Sequence, residues 1–399
     1  MDFQHTLTAR GAQFTLQGRC DPAYRAVADA FVENFTVEDE VGAAVSVMRE
    51  GRTVVDLWGG WRNAAMTAPW EEHTTVCMMS VAKGVTAICF NMLIDRGLVH
   101  PDDPVIRYWP EYGKYGKNGK EKTLVRHFLD HTAAVPVLTT NPLWPGAMFD
   151  REAMIAALEE QEPLWEIGTK AAYHVHHQGF LLGEIMRRIT GTIVGPFLRK
   201  EITEPLKAEY WIGRMSAAEQ LTVAEVMPNM NARLFAAKDH DDQTSLRSLA
   251  FKQNPLEPWA TTMNSAIWKT CEIASGSGHG NARGVAKIYG ALGNGGTLDD
   301  VKLLSKQGIE NMIVEQHNQT EALQDRPYHQ ALGVLLNTPE AVYMGPNMRS
   351  FGHHGLGGSI GFCDPDAGIG FAYCCNKMHA VGTNGPRAAR LIDALYASG

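Results

Sequence analysis

The sequence predicts an α+β protein in which both ends of the chain contribute strands to one antiparallel sheet, while the middle folds into a mostly helical subdomain. Two pairs of short β-prone segments predict hairpins, one near each end of the chain, at residues 41–58 and 359–373. Between them, from residue 80 to roughly residue 290, apolar residues follow helical spacing and are joined by long polar connections. Strand signals return after Gly352.

Turn residues justify both hairpins. Glu50-Gly51 separates the two β-prone runs of the first hairpin. Residues 364–368, which include two aspartates, a proline and a glycine, separate the runs of the second. Glycine and aspartate tolerate the backbone conformations that tight turns require, and proline favours a turn over a continued strand.

Helix signals flank the sheet segments at both ends of the chain. Asp21-Pro22 has the pattern of an N-cap followed by a first-turn proline, and it begins an amphipathic segment that extends to about Phe35. Residues 387–396 predict a closing helix. The expected parts are a sheet part, residues 1–78 and 291–399, and a mainly helical subdomain, residues 79–290, which together form one unit.

Composition excludes several classes of partner. A net charge of −8 and a pI near 6.0 provide no basic field that would attract nucleic acid or an anionic membrane. No apolar stretch approaches the roughly 20 residues that a membrane-spanning helix needs. Residues 1–5 do not begin a secretory signal, and the seven cysteines lack metal-type spacing. We expect a cytoplasmic protein without a cofactor, and the sequence leaves open whether it forms a homo-oligomer.

The most informative motif is Ser80-Val81-Ala82-Lys83, a Ser-x-x-Lys tetrad at the start of an amphipathic helix that ends at Arg96-Gly97. Residues three apart lie on the same side of a helix, so the Ser80 hydroxyl and the Lys83 amine can come within hydrogen-bond reach. A serine needs a neighbouring base to become a nucleophile, and a lysine serves only if its pKa is lowered. This spacing therefore predicts a serine nucleophile with a lysine base.

Two further elements follow the tetrad along the chain. Tyr173 ends a loop that precedes a clear helix at residues 180–191. The third element, His353-His354-Gly355, leads directly into the second hairpin. The order of Ser-x-x-Lys, a tyrosine motif and a Lys/His-Thr-Gly-like strand is a known catalytic arrangement.

These motifs, in this order, resemble the serine β-lactamase and penicillin-binding-protein superfamily. Within it, the chain is most similar to the class C β-lactamase-like carboxylesterases of family VIII. The resemblance extends over nearly the whole chain, with similar stretches at residues 54–60, 98–110, 129–132 and 275–283. It implies a single β-lactamase-like catalytic unit that acts on small molecules and has its site in a cleft between the sheet and the helical subdomain.

The resemblance also implies a role for each motif residue. Ser80 would be the acyl-accepting nucleophile and Lys83 its base, while Tyr173, with a pKa lowered by Lys83, would relay a proton to the leaving group. His353 occupies the place of the lysine that begins Lys-Thr-Gly in class C β-lactamases. The backbone N–H groups of Ser80 and of Leu356 or its neighbour would form the oxyanion hole. Candidates for lining the substrate site are His174, His354 and Gly355.

Two departures from the β-lactamase pattern favour esters as substrates. The asparagine that β-lactamases place two residues after the tyrosine is Val175 here, and His353-His354-Gly355 replaces Lys-Thr-Gly. Both changes remove groups that β-lactamases use around the lactam amide and carboxylate. The sequence therefore predicts a short-chain carboxylesterase. An acyltransferase, then a β-lactamase or D-amino-acid peptidase, remain alternatives, and a catalytically silent binding protein is the alternative from a different class.

Four other features of the sequence have simpler interpretations. Residues 357–361 match the G-x-S-x-G elbow of α/β-hydrolases, but they precede a β-prone run instead of a helix, so Ser359 is expected to be a strand or turn residue. The histidines near Tyr173 lack metal-ligand spacing, so we expect no metal site. His131 is expected to hold the end of a helical segment. Residues 239–258, which are polar and irregular, predict a loop beside the cleft.

Overall fold

The computed structural model describes residues 1–114, 118–140, 143–229, 244–252, 262–381 and 383–398. Within this part of the chain, ten strands form one antiparallel sheet in the order β1-β2-β4-β3-β15-β14-β13-β12-β11-β10. Its strands are β1 Asp2–Ala9, β2 Ala12–Cys20, β3 Gly42–Arg49, β4 Arg52–Gly60, β10 His317–Glu321, β11 Arg326–Gln330, β12 Leu335–Leu336, β13 Phe351–His354, β14 Ile360–Asp364 and β15 Ile369–Cys375. The prediction that both chain ends share one antiparallel sheet is confirmed.

The two ends of the chain meet where β3 pairs with β15, in a register that runs from Arg49 opposite Ile369 to Ala43 opposite Cys375. Each of these strands belongs to one of the two predicted hairpins, β3–β4 and β14–β15, and both hairpins are confirmed. At the first turn, Glu50 and Gly51 both have positive φ, as a tight two-residue turn requires.

Five strands of the sheet were not predicted. The hairpin β1–β2 forms one edge of the sheet. Strands β10 to β12, which precede Gly352 in the sequence, form the other edge. Strand β10 reads His-Asn-Gln-Thr-Glu and is half exposed, so it lacks the apolar run by which a strand is recognised. Edge strands are often polar because one side of the backbone faces solvent.

Helices cover both faces of the sheet. The helices are α1 Arg25–Val37, α2 Val81–Asp95, α3 Val125–Leu129, α4 Arg151–Glu160, α5 His177–Thr190, α6 Val194–Leu198, α7 Ala217–Leu221, α8 Leu246–Lys252, α9 Ala266–Thr270, α10 Ala282–Gly293, α11 Lys306–Met312 and α12 Gly385–Ala397. The predicted helices after Pro22, at Ser80, before Gly191 and at the C-terminus are confirmed as α1, α2, α5 and α12. The α+β class predicted from the sequence is therefore confirmed.

The side chains of β3 alternate between two hydrophobic clusters. Ala43, Val45 and Val47 join the cluster under α1 and α12, whereas Ala44 and Met48 join the larger cluster that includes residues of α2, α5 and α10. Helix α10 packs directly on β3, β14 and β15 from this second side.

Glycines permit this close packing. A Cβ at Gly370 of β15 would lie only 2.2 Å from the backbone nitrogen of Gly290 in α10, so the helix backbone rests against the strand backbone. A larger residue at either position would push the helix away from the sheet.

Two small sheets complete the described fold. Strands β5 Val76–Cys77, β6 Tyr210–Ile212 and β7 Gly278–Gly280 form one sheet, and β8 Thr297–Leu298 with β9 Val301–Lys302 form the other. The predicted loop at residues 239–258 lies largely outside the described residues, but residues 246–252 are helical, which corrects that part of the prediction. Across the described residues, no helix combines the length and apolarity needed to cross a membrane.

A buried ion pair joins the helices on one face to the sheet. Arg387 at the start of α12 donates to Glu40 Oε1 at 3.1 Å, and the Tyr373 hydroxyl of β15 contacts Glu40 Oε2. Glu40 and Arg387 are almost completely buried. Burial raises the pKa of Glu40, and the Arg387 charge opposes this effect.

We predict that Arg387→Met lowers the free energy of unfolding by about 3–5 kcal/mol, because it leaves the Glu40 carboxylate buried without its cation. Urea denaturation measures this loss. The double variant Glu40→Gln/Arg387→Met should recover much of it, and Arg25→Met, which breaks the exposed Arg25–Asp29 pair, should have almost no effect. A loss no larger for Arg387→Met than for Arg25→Met would contradict the prediction.

Candidate active site

Ser80 lies at the sharp connection between strand β5 and helix α2. Met79 before it has a φ of 49°, in the left-handed region, and this conformation turns the chain from the strand into the helix. Ser80 has helical dihedral angles, and its side chain makes no capping hydrogen bond to any described residue. It is half-buried. The hydroxyl is therefore free of the ordinary N-cap role that would otherwise explain a serine here.

The amine of Lys83 is buried and held by two backbone carbonyl groups. Lys83 is 1% exposed, and its Nζ donates to the carbonyl oxygens of Val175 at 2.6 Å and of Ser275 at 2.8 Å. Burial lowers the pKa of the ammonium well below its ordinary value of 10.5. The two acceptors take two of the N–H groups and leave a third direction of the nitrogen for another contact.

The ring of Tyr173 lies beside both of these groups. The Lys83 Nζ is 4.6 Å from the centre of the ring, and the Tyr173 side chain hydrogen-bonds with Ser80. Burial raises the pKa of the phenol above its ordinary value of 10.0, although the bond with Ser80 and the nearby Arg326 charge oppose the rise. This direction is opposite to the expected lowering by Lys83, because desolvation of the phenolate is the largest effect and burial disfavours the charged form of Lys83 itself.

Close backbone packing brings the third motif to the same place. A Cβ at Gly355 would lie 2.1 Å from the carbonyl oxygen of Met78, so the end of β13 touches the segment that precedes Ser80. One turn into α2, a Cβ at Gly84 would lie 3.1 Å from the Cβ of His353. Glycine at both positions allows strand and helix to approach at backbone distance.

His353 stacks on Tyr173, with ring centres 6.2 Å apart. Its Nδ1 is 2.7 Å from the carbonyl oxygen of His354, which makes Nδ1 the protonated nitrogen and leaves Nε2 as an acceptor. Burial lowers the pKa of His353 to about 3, so the imidazole is neutral at physiological pH. It therefore differs in charge from the lysine whose place it takes.

The remaining candidates lie around these four residues. His354 stacks on His353 with ring centres 5.7 Å apart, and His174 is buried next to Tyr173 with its Nδ1 2.7 Å from the carbonyl oxygen of Ala172. The backbone N–H groups of Ser80 and Leu356 donate to no other residue that the structure describes. An oxyanion hole requires two N–H groups that are free to bind a substrate oxygen.

Several residues of the site were not predicted. The carbonyl groups of Val175 and Ser275 hold Lys83, and Glu321 accepts a hydrogen bond from the Tyr173 N–H at 3.0 Å. A backbone carbonyl belongs to every residue type, so no sequence signal could have identified the first two. Glu321 lies on β10, one of the strands that was itself missed.

The competing serine and the carboxylate nearest the clustered histidines have structural explanations. Ser359 immediately precedes strand β14 instead of a helix, and it is buried. Glu184, which lies on α5 after these histidines, pairs with Arg151, Arg187 and Arg188, so its carboxylate is already neutralised. Among the described residues, no group of three or more His, Cys, Asp or Glu side chains has the arrangement of a metal site.

Comparison with known proteins gives a family and several relatives. The profile of the family named Beta-lactamase matches residues 28–395. The chain is 33% identical over 373 residues to the esterase/beta-lactamase LipL of Mycobacterium tuberculosis (strain ATCC 25618 / H37Rv), which covers 90% of this chain and 83% of LipL.

Solved structures agree with this match. A family VIII carboxylesterase is 34% identical, with a TM-score of 0.87 and coverage of 96% of this chain and 100% of that chain. A penicillin-binding protein homologue from Caulobacter crescentus is 32% identical, with a TM-score of 0.85 and the same 96% and 100% coverage. The predicted β-lactamase-like fold is therefore confirmed.

We predict that Lys83→Ala and Tyr173→Phe each lower kcat for a nitrophenyl ester by at least about 100-fold, because each removes one member of the proton relay expected from the sequence. The double variant should be little worse than the poorer single variant. Lys83→Arg should fail as well, since a guanidinium stays protonated at working pH. Steady-state kinetics on all four variants provide the measurement. If the two losses multiplied independently, the two residues would not share one relay.

Proposed function

Because the chain belongs to the beta-lactamase family, we propose that it hydrolyses short-chain carboxylic esters through an acyl-enzyme formed on Ser80. The family match confirms the resemblance predicted from the three motifs. The chain is a carboxylesterase-type hydrolase, as its similarity to LipL and to the family VIII carboxylesterase indicates. The substrate range, the covalent intermediate and the roles of the individual residues are the content of the proposal.

The hydrogen bonding of Lys83 carries the proposal. A neutral amine has two N–H groups and one lone pair, and the carbonyl groups of Val175 and Ser275 accept the two N–H groups. Burial disfavours the charged form, so the lone pair is available to take the proton of Ser80 as its oxygen attacks the ester carbonyl. This is the form of lysine that a general base requires.

Tyr173 begins the reaction as a protonated phenol, so it can donate a proton where the neutral Lys83 accepts one. Burial keeps its phenol protonated, and its hydrogen bond with Ser80 places the phenol at the reacting oxygen. We infer that Tyr173 donates a proton to the departing alcohol when the tetrahedral intermediate collapses. The proton that Lys83 removed from Ser80 then restores the phenol of Tyr173 and leaves Lys83 neutral. In the second step Tyr173 acts as the base by taking a proton from the entering water while it passes its own proton to Lys83, and this proton returns to Ser80 when the acyl–enzyme bond breaks. His353 orients Tyr173 from the strand side through the stacked rings.

Charge develops on the carbonyl oxygen of the substrate during both steps. The N–H groups of Ser80 and Leu356 are the proposed donors to this oxyanion, because neither is engaged by another described residue. His174, His354 and Gly355 remain the proposed lining of the substrate site. All three are buried close to Tyr173 or His353.

Esters fit this site better than lactams. Val175 presents its carbonyl group to Lys83 and an apolar side chain in place of an amide, and His353 is neutral where a lysine would be cationic. The site thus lacks two polar groups for a lactam amide and carboxylate. A β-lactamase is the second candidate, because the relative LipL is named as both esterase and beta-lactamase. Acyl transfer from the same acyl-enzyme remains an alternative second step.

Two further proposals concern the organisation of the chain and its location in the cell. We propose that the sheet part, residues 1–78 and 291–399, and the helical subdomain, residues 79–290, act as one catalytic unit. In support, Lys83 and His353 come from different parts and flank the same tyrosine. A cytoplasmic location is also proposed, and it is supported by the seven cysteines, all of which are free thiols.

We predict that Ser80→Ala lowers kcat by roughly 10⁴-fold or more, since loss of a covalent nucleophile removes the acyl-enzyme route. Intact-mass analysis after brief exposure to an activated short-chain ester should show one acyl adduct on the wild type and none on the variant. The fold should persist, because the Ser80 side chain makes no capping hydrogen bond with a described residue.

Ser359→Ala is the matched control, because Ser359 lies in the competing G-x-S-x-G motif and should be nearly silent in both assays. A folded Ser80→Ala enzyme that retained activity within tenfold of the wild type would remove Ser80 from the mechanism.

The substrate class has its own prediction. We expect kcat/KM for a nitrophenyl short-chain ester to exceed that for a chromogenic cephalosporin by at least about 10³-fold. The reason is that a site without partners for the lactam amide and carboxylate discriminates strongly against a substrate that carries them. Val175→Asn, which restores the side-chain amide, should narrow the ratio. Comparable kcat/KM values in the wild type would favour the β-lactamase candidate instead.

A further inference from the structure

We propose that Glu321 and His131 are positioning residues that hold Tyr173 in register with Ser80 and Lys83. This inference rests on the proposed function, since it concerns the residue that we infer to be the proton donor. Neither side chain touches the reacting atoms in this arrangement. Both act through the backbone of the segment that carries the tyrosine.

Three consecutive N–H groups of this segment are accepted by these two residues. The N–H of Ala172 donates to the carbonyl oxygen of His131 at 3.0 Å, and that of His174 donates to the His131 Nδ1 at 3.1 Å. Between them, the N–H of Tyr173 itself donates to Glu321 Oε2 at 3.0 Å. The backbone on both sides of the tyrosine Cα is therefore tethered, although the segment belongs to neither a helix nor a strand.

The carboxylate of Glu321 is a connection between the sheet edge and the site. Glu321 is completely buried at the end of β10, and it also accepts from the N–H groups of Leu323 at 2.9 Å and Gln324 at 2.7 Å. One side chain thus closes the turn between β10 and β11 and holds Tyr173. Three N–H donors compensate for the desolvation of a buried carboxylate, which would otherwise be costly.

The backbone conformation and the protonation state of His131 suit it to hold the tyrosine segment. It has a φ of 64°, in the left-handed region, where residues other than glycine are uncommon. Its Nδ1 accepts a backbone N–H, which requires an unprotonated Nδ1, and burial lowers the pKa of the ring well below 6.5. Its ring centre also lies 5.0 Å from that of Tyr173. A strained conformation at a buried residue indicates that its neighbours determine it.

The aromatic neighbours of Tyr173 fix its ring, but they do not fix its backbone. Tyr328 and His353 lie 5.7 Å and 6.2 Å from its ring centre, and Lys83 Nζ lies 4.6 Å away. A shift of the backbone would move the hydroxyl relative to Ser80 even with the ring orientation kept. Misplacement by about 1 Å can reduce a rate by roughly 10²-fold, so tethering of the segment is a catalytic requirement.

The first test uses His131→Ala and His131→Asn. The Oδ1 of asparagine can accept the His174 N–H in place of Nδ1, and asparagine tolerates positive φ, whereas alanine provides no acceptor. We expect kcat for a nitrophenyl ester to fall by about 10- to 100-fold in His131→Ala, with KM changed less than about threefold. His131→Asn should restore kcat to within about fivefold of the wild type. Equal losses in the two variants would overturn the role of Nδ1.

The second test is a double-variant cycle between Glu321→Gln and Tyr173→Phe, with kcat expressed per site titrated by a fluorophosphonate. Glu321→Gln should lower kcat by about tenfold or more in the wild-type background and by less than twofold in the Tyr173→Phe background. A purely structural role would produce the same factor in both, and that result would overturn the inference. Glu315→Gln, an exposed residue just before the same hairpin, is the control and should leave kcat unchanged.

The two levels of proposal fail in different ways. Absence of an acyl adduct on the wild-type enzyme would remove the proposed function. A wild-type enzyme that forms the adduct, together with additive losses in the cycle, would remove only the positioning role of Glu321.

Discussion

The site depends on the burial of one amine between two backbone carbonyl groups. Lys83 reaches from helix α2 to Val175 in the tyrosine segment and to Ser275 in the loop before β7, so one side chain ties together three distant parts of the chain. The same burial disfavours the charge that a lysine normally carries, because it lowers the pKa of the ammonium. The burial that accompanies these contacts therefore also favours the neutral form of the amine that the proposed base requires.

The other titratable groups of the site follow the same constraint. Burial favours the neutral form of Tyr173, His353, His174 and His131, since each pKa moves in the direction that disfavours charge. The resting site is thus built from neutral donors and acceptors. Charge that develops on an oxyanion would meet fixed N–H groups in a medium of low dielectric constant, where such interactions are strong.

Local elements could be predicted, and the edges of the sheet could not. The hairpins β3–β4 and β14–β15 depend on turn residues and alternating side chains that are close in sequence. Strand β10 is a strand because it completes an edge next to β11, and its polar residues carry no local signal of this. Glu321 was therefore missed together with the strand that carries it.

By itself, the sequence determined the family and the candidate catalytic residues, because Ser80, Lys83, Tyr173 and His353 stand in a recognisable order and the tetrad places two of them on one helix face. Only the tertiary structure decided how these side chains behave. The low pKa of Lys83, the protonated phenol of Tyr173 and the tethering of its backbone arise from burial and from main-chain groups. Since every residue carries a carbonyl and nearly every residue an N–H, such contacts leave no trace in a sequence.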